Sequence, residues 1–206
     1  MYSKNFDEEY LLKNIYKTVS RGFREFGKTR YSCKQTPPHI LNYRAMSLIL
    51  YFRDSFNPPK TVLREANIKH GLTILDYGCG PGNYSIAVSE LLEETGMVFA
   101  LDKHPLAIKS ISKKIKKRSV TNIQTIYSKC ETGLASNSVD VVLLYHVFND
   151  LENPGDVLEE LHRIIKPSGI LSFLEFDVEG ISPNIVKSGL FHLQKKMGRT
   201  NIFVKK

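Results

Sequence analysis

The sequence predicts an α/β protein with a doubly wound, mostly parallel sheet, helices at its amino terminus and an antiparallel hairpin at its carboxyl terminus. From about residue 61 onward, short apolar runs rich in β-branched residues alternate with helical runs. This alternation is typical of strand–helix units whose strands pair in parallel. One run, residues 139–146, is apolar through its centre, as expected for a strand buried on both faces.

Two helical stretches precede the alternating region. Apolar residues recur at helical spacing in residues 7–26 and again in residues 39–52. The composition changes at Asn57-Pro58-Pro59, which favours a boundary there. We therefore divide the chain into an N-terminal helical lid or cap, residues 1–57, and a main domain, residues 58–206.

The elements of the main domain follow from the same patterns. In the last large helix, Asn153 is the expected N-cap, Pro154 suits the first turn, and Pro167 with Gly169 ends the helix. In the tail, a short helix is predicted before two strands joined around Gly198. The predicted strands are 72–77, 97–102, 122–127, 139–146 and 169–176, and the predicted helices are 83–94, 105–119, 154–166 and 181–190.

Composition limits the class of protein. The chain has 206 residues, a net charge of +8, and three cysteines that are widely spaced, so we expect neither a disulfide framework nor a metal site. No apolar run approaches the ~20 residues that span a bilayer, and the first residues form no signal-peptide core. We expect a cytoplasmic protein with no membrane association. The oligomeric state stays open.

The glycine-rich segment after the first strand indicates a nucleoside ligand. Gly78, Gly80 and Gly82 would let a ligand approach the backbone closely. The dinucleotide pattern needs a third glycine at position 83, where the chain has Asn83. Asp102 ends the second strand, and a carboxylate there can accept both hydroxyls of a ribose. That carboxylate suits NAD and S-adenosylmethionine equally, so it does not choose between them.

Four segments along the chain carry a recognisable pattern. They are LDYGCGPGN at 75–83, the Leu-Asp pair at 101–102, NSVDVV at 137–142 and LHRIIKPSGIL at 161–171. Together they resemble class I S-adenosylmethionine-dependent methyltransferases, and most closely the small-molecule enzymes similar to those of quinone biosynthesis. The likeness covers residues 58–176 and implies a Rossmann-like sheet with S-adenosylmethionine as cofactor.

The resemblance also implies roles for individual residues. The three glycines of the turn would line the methionine part of the cofactor, and Asp76 would hold its amino group. Asp102 would bind the ribose, with Lys103 beside it over the adenine. Many relatives have an acid after the third strand that accepts the adenine amino group, whereas this chain has Ser128 or Lys129 there. The full set of expected cofactor-binding residues is Asp76, Tyr77, Gly78, Cys79, Gly80, Gly82, Asn83, Asp102, Lys103, Ser128, Lys129, Cys130 and Tyr145.

Catalysis needs little beyond this set. His146, at the end of the fourth strand, is the candidate general base, although a lone histidine is more often one that only packs and hydrogen-bonds. Tyr145, and also Tyr77, could place an electron-rich ring beside the sulfonium. We expect transfer of a methyl group to a small-molecule acceptor.

Other functions remain as alternatives. One is a non-catalytic module that binds S-adenosylmethionine, because fold does not fix function. An RNA or protein methyltransferase is a further alternative. Nucleic acid is possible but not favoured as a partner, because the basic stretch 109–118 lies opposite an apolar stripe, as in a solvated helix. A nicotinamide-dependent oxidoreductase is disfavoured by Asn83.

Overall fold

The computed structural model describes residues 58–93, 95–175 and 184–206, which contain a seven-stranded sheet and the helices around it. The strands are β1 Thr73–Tyr77, β2 Met97–Asp102, β3 Ile123–Tyr127, β4 Val139–Tyr145, β5 Ile165–Leu174, β6 Phe191–Met197 and β7 Thr200–Lys205. The helices are α1 Pro59–Glu65, α2 Asn83–Leu92, α3 Pro105–Arg118 and α4 Pro154–Ile164, with a 3-10 turn at Phe148–Asp150.

The strand order is β3-β2-β1-β4-β5-β7-β6. The pairs among β1 to β5 are parallel, whereas β7 runs antiparallel to both β5 and β6. β1 therefore lies between β2 and β4, where the order of the strands reverses. In open α/β sheets this reversal opens a crevice at the carboxyl ends of the strands, and ligands bind there. The predicted α/β class and the C-terminal hairpin are confirmed.

Two core layers cover the two faces of the sheet. On one face, Val62 and Leu63 of α1 and Val88 of α2 pack against Ile74 of β1. On the other face, α4 supplies Leu158 and Leu161, which pack with the aromatic rings of β5 and β7. β4 is buried along nearly its whole length because it is central to the sheet and covered on both sides.

α1 is tied to the C-terminal hairpin by Glu65. Its carboxylate Oε2 accepts hydrogen bonds from the backbone N–H groups of Arg199 and Thr200, both at 2.9 Å. A Cβ at Gly198, which has φ +54°, would crowd the same carboxylate. The left-handed backbone conformation favours glycine at this hairpin turn, and the contact with the end of the Glu65 side chain adds to that preference.

Some predictions were wrong in detail. α1 was not predicted, although Pro59 at its start is a common helix opening. β5 begins at Ile165 rather than 169, because Ile165 pairs with Val139 before the register shifts. Asn153 makes no side-chain capping hydrogen bond to α4.

Two further predictions concern parts of the chain that the structure covers incompletely. Residues 1–57, with their two predicted helices and cap, lie outside the described residues, as does most of the first half of the predicted helix 181–190. Within the described segments, no helix has the length and apolar character needed to cross a membrane.

Candidate functional site

The glycine-rich turn joins β1 to α2 at the carboxyl edge of the sheet. Gly78, Gly80 and Gly82 all have left-handed backbone conformations, with φ values of +78°, +52° and +83°. The N–H groups of Gly78 and Cys79 donate to the Leu101 carbonyl of β2, at 2.8 and 2.9 Å. These bonds fix the bend against the neighbouring strand, so its backbone faces the crevice in one conformation.

Close packing explains two of the three glycines directly. A Cβ at Gly78 would come within 2.5 Å of Val147, in the segment after β4. A Cβ at Gly82 would come within 2.6 Å of the Ile111 side chain on α3. Contacts this short are far inside van der Waals distance, so any larger residue would displace its neighbour. The turn is therefore held between α3 and the end of β4.

Asp102 lies directly beside this turn. Its Oδ2 accepts a hydrogen bond from the N–H of Gly80 at 2.8 Å, and its Oδ1 accepts one from the N–H of His104 at 2.7 Å. Burial raises the pKa of Asp102, while the hydrogen bonds from His104 and Gly80 oppose that rise. The carboxylate is thus positioned at the crevice, next to the glycine turn, as a ribose-binding group must be.

His104 is a site residue that the sequence predictions missed. Its Nδ1 accepts the N–H of Leu106 at 3.1 Å and so caps α3, while its own N–H holds Asp102. Pro105 is the first residue of α3. A proline commonly opens a helix, so the sequence signal for a cap at position 104 was present.

Asp76 is nearly fully buried on the α2 side of the sheet. Ser85 of α2 donates its hydroxyl to Asp76 Oδ2 at 2.5 Å. Both side chains are buried, at 3% and 0% exposure. Ser85 is a second residue that sequence reasoning missed, and it fixes the orientation of the Asp76 carboxylate.

The amino-terminal end of α2 also faces the crevice. Gly82 is its N-cap, and the described residues show no side-chain capping hydrogen bond there and no acid in the first turn. Such a helix end attracts a carboxylate through its backbone N–H groups and its dipole. Asn83, the first helical residue, accepts a hydrogen bond from Lys114 of α3 through its side-chain oxygen. Its side chain therefore joins α2 to α3.

Lys103 extends along the edge of the sheet. Its Nζ donates to the carbonyl of Asp150 at 3.1 Å and lies 3.7 Å from Glu152. Lys103 therefore links the end of β2 with the segment after β4. Its expected place over the adenine stays a prediction.

Ser128, Lys129 and Cys130 begin the segment that follows β3. The N–H of Ser128 donates to the carbonyl of Asp102 at 3.2 Å, so this segment leaves the sheet next to Asp102. The hydroxyl of Tyr77 donates to the carbonyl of Lys129 at 3.1 Å. Cys130 is partly exposed, and burial together with nearby carboxylates raises its pKa. Cys79, by contrast, is buried beside the turn.

Both tyrosines proposed to face the sulfonium have rings in the core. Tyr77 is 2% exposed, and Tyr145 is 5% exposed with its hydroxyl 2.7 Å from that of Ser172. The ring of Tyr145 also packs edge-to-face with Tyr84, at a centroid distance of 5.0 Å. Both rings are thus fixed by packing, and their place beside the sulfonium stays a prediction.

His146 and Glu175 are brought together by the ends of β4 and β5. His146 Nδ1 lies 4.0 Å from Glu175 Oε2, and both side chains are nearly fully buried. Glu175 Oε1 also accepts the N–H of Phe148 at 2.9 Å. His146 has φ +55°, a conformation that costs free energy in a residue with a Cβ. The edge therefore holds a buried histidine–carboxylate pair near the glycine turn.

These features define an α/β domain with a glycine-rich turn and a firmly held carboxylate at the switch point of its sheet. Residues 68–202 match the family model described as a methyltransferase domain, so the chain belongs to that family. The predicted membership among class I S-adenosylmethionine-dependent methyltransferases is confirmed.

Individual relatives agree with this assignment. A demethylmenaquinone methyltransferase of Geobacillus stearothermophilus is 30% identical over 135 residues, which are 65% of this chain and 58% of that protein. A second, from Geobacillus kaustophilus, is 29% identical over the same length. The chain thus spans less than two thirds of the length of these relatives.

Solved structures show the same fold. A SAM-dependent methyltransferase of Aquifex aeolicus superposes with a TM-score of 0.62 and 26% identity, covering 71% of this chain and 87% of that one. A precorrin-6y C5,15-methyltransferase of Geobacter metallireducens gives a TM-score of 0.55 at 17% identity, covering 71% and 85%. The second likeness concerns the fold alone.

Proposed function

We propose that the protein transfers a methyl group from S-adenosylmethionine to a small organic acceptor. One observation carries the proposal: the Asp102 carboxylate is held by the N–H of Gly80 at the carboxyl edge of the sheet. A ribose-binding carboxylate and a backbone turn that admits a ligand are thereby joined in one unit. This arrangement fits an adenosyl amino acid, because the start of α2, whose N-cap is Gly82, lies next to it and favours a carboxylate through the helix dipole.

Each residue around the turn would bind a different part of the ligand. Asp102 would accept the ribose hydroxyls, and Asp76, oriented by Ser85, would hold the amino group. The glycines of the turn would border the methionine portion, and residues 128–130 would border the adenine. When bound, S-adenosylmethionine supplies a sulfonium whose methyl group is already activated for transfer. The protein then contributes mainly by positioning the acceptor in line with it.

His146 would act as a general base where the acceptor must lose a proton. Glu175 lies 4.0 Å from its Nδ1, close enough to stabilise the imidazolium that proton uptake creates. A histidine beside a carboxylate is a common arrangement for proton transfer. The buried pair is therefore the part of the edge best suited to that step.

For the acceptor we propose a quinone-type ring, reduced to its hydroxyl form. The support is the likeness to demethylmenaquinone methyltransferases, together with the histidine–carboxylate pair. We further propose a cytoplasmic location.

Calorimetry and a turnover assay test the proposal together. We expect micromolar binding of S-adenosylhomocysteine and no binding of NAD. With a soluble naphthohydroquinone as acceptor, we expect S-adenosylhomocysteine to form. Binding without turnover across hydroquinone, phenol and amine acceptors would support a non-catalytic module instead. Binding of NAD alone would overturn the assignment.

A further inference from the structure

Residues 128–138, the segment between β3 and β4, are held in place by hydrogen bonds to two separate elements, β1 and α4. It contains neither helix nor strand, so its path depends on side-chain contacts. The Tyr77 hydroxyl, at the end of β1, donates to the carbonyl of Lys129 at 3.1 Å. Glu160, on α4, accepts hydrogen bonds from the N–H and hydroxyl of Thr132 at 2.9 and 2.6 Å.

Arg163 extends this second attachment. Its guanidinium donates to both carboxylate oxygens of Glu160, at 2.7 and 2.8 Å. It also donates to the carbonyl of Leu134 at 2.8 Å and to the hydroxyl of Ser136 at 3.2 Å. The guanidinium and the hydrogen bonds from Thr132 lower the pKa of Glu160 to about 2, so its carboxylate stays ionised. The pair therefore fixes the middle of the segment against α4.

The start of the segment is bonded to the residue that carries the ribose-binding carboxylate. Burial raises the pKa of the Tyr77 phenol, so its hydroxyl stays protonated and donates to the Lys129 carbonyl. Because the N–H of Ser128 is bonded to the carbonyl of Asp102, the first residues of the segment have a fixed position relative to the nucleoside site.

We propose that Tyr77, Glu160 and Arg163 are positioning residues for recognition of the adenine base. They hold the backbone of residues 128–130 so that its N–H and C=O groups meet the edge of the base. Ser128 and Lys129 offer no carboxylate for the adenine amino group, and the side chain of Lys129 belongs to an exposed residue. The backbone N–H and C=O groups of this segment can meet the base instead, and they select a base only if their position is fixed. The inference rests on the proposed function.

The test compares two ligands that differ at the base. Calorimetry on the full chain would measure the Kd of S-adenosylhomocysteine and of S-inosylhomocysteine, whose 6-amino group is replaced by an oxygen. The wild-type protein should prefer the adenosyl compound. Tyr77→Phe keeps the buried ring and removes the hydroxyl, so it should weaken adenosyl binding about five- to tenfold, the value of one hydrogen bond. The Kd of S-inosylhomocysteine should change by less than about twofold in the same variant.

Two further variants make the result decisive. Glu160→Gln, which acts from α4, should also lower the preference for adenine, whereas Tyr127→Phe should leave it unchanged because Tyr127 is 66% exposed. Equal weakening of both ligands, or an unchanged preference in both Tyr77→Phe and Glu160→Gln, would overturn the inference. A wild-type protein that binds both ligands equally would do the same. If the wild-type protein binds neither ligand, the proposed function itself fails.

Discussion

Replacing Gly82 by alanine should destabilise the protein through a clash that the structure locates at one side chain. The new Cβ would come within 2.6 to 2.8 Å of three atoms of Ile111, which is fully buried on α3. Overpacking of this kind costs about 1–3 kcal/mol. The backbone at position 82 has φ +83°, and a Cβ in that conformation adds about 1 kcal/mol. We expect Gly82→Ala to lower the free energy of unfolding by about 2–4 kcal/mol.

Gly71 provides a matched control. It has φ +76°, and a Cβ there would meet nothing within 4 Å, so Gly71→Ala should show only the backbone cost of about 1 kcal/mol. Urea unfolding of both variants would measure the difference. The double variant Gly82→Ala with Ile111→Ala should lose about 1–2 kcal/mol less than the sum of the single changes, because the clash is relieved. If Gly82→Ala and Gly71→Ala are equally stable, the packing explanation for this glycine is wrong.

Three further predictions concern the site and its supports. Asp102→Ala should raise the Kd of S-adenosylhomocysteine, measured by calorimetry, about tenfold to a hundredfold. The reason is that the ribose loses its carboxylate and the N–H of Gly80 loses its hydrogen-bond partner. An unchanged Kd would show that the ribose is held elsewhere. His146→Gln should lower kcat about a hundredfold or more toward an acceptor that must be deprotonated, with the Kd of the cofactor unchanged; a normal kcat would assign the His146–Glu175 pair to packing. For Glu160, whose pKa is depressed from 4.5 to about 2, the stabilisation is fully present above pH 4.5 and is lost as the pH falls toward 2. Because Arg163 is 41% exposed, this contribution should be about 1 kcal/mol. The stability difference between the wild-type protein and Glu160→Gln should therefore shrink by most of that amount between about pH 5 and pH 2.5, and a constant difference would contradict the reasoning.

Most of the fold could be predicted from local sequence patterns. The strand at 97–102 and the helix beginning at Pro105 were predicted with the bounds that the structure shows to within a residue. Apolar alternation and proline positions act over a few residues, so a sequence carries them directly. The start of β5 was placed four residues too late, because Ile165 joins the sheet through its pairing with Val139, a contact distant in sequence.

The sequence by itself determined the class of ligand and the glycine turn, because a motif and a strand-end acid lie close together along the chain. Only the tertiary structure decided which contacts surround the glycine turn and the acid at the strand end. It placed Tyr77 and Tyr145 in the core, joined His146 to Glu175, and attached the segment after β3 to α4 through Glu160. Each of these contacts joins residues far apart in the chain, and side-chain direction depends on packing between layers. A one-dimensional pattern therefore identifies the residues near a site but not which atoms face the ligand.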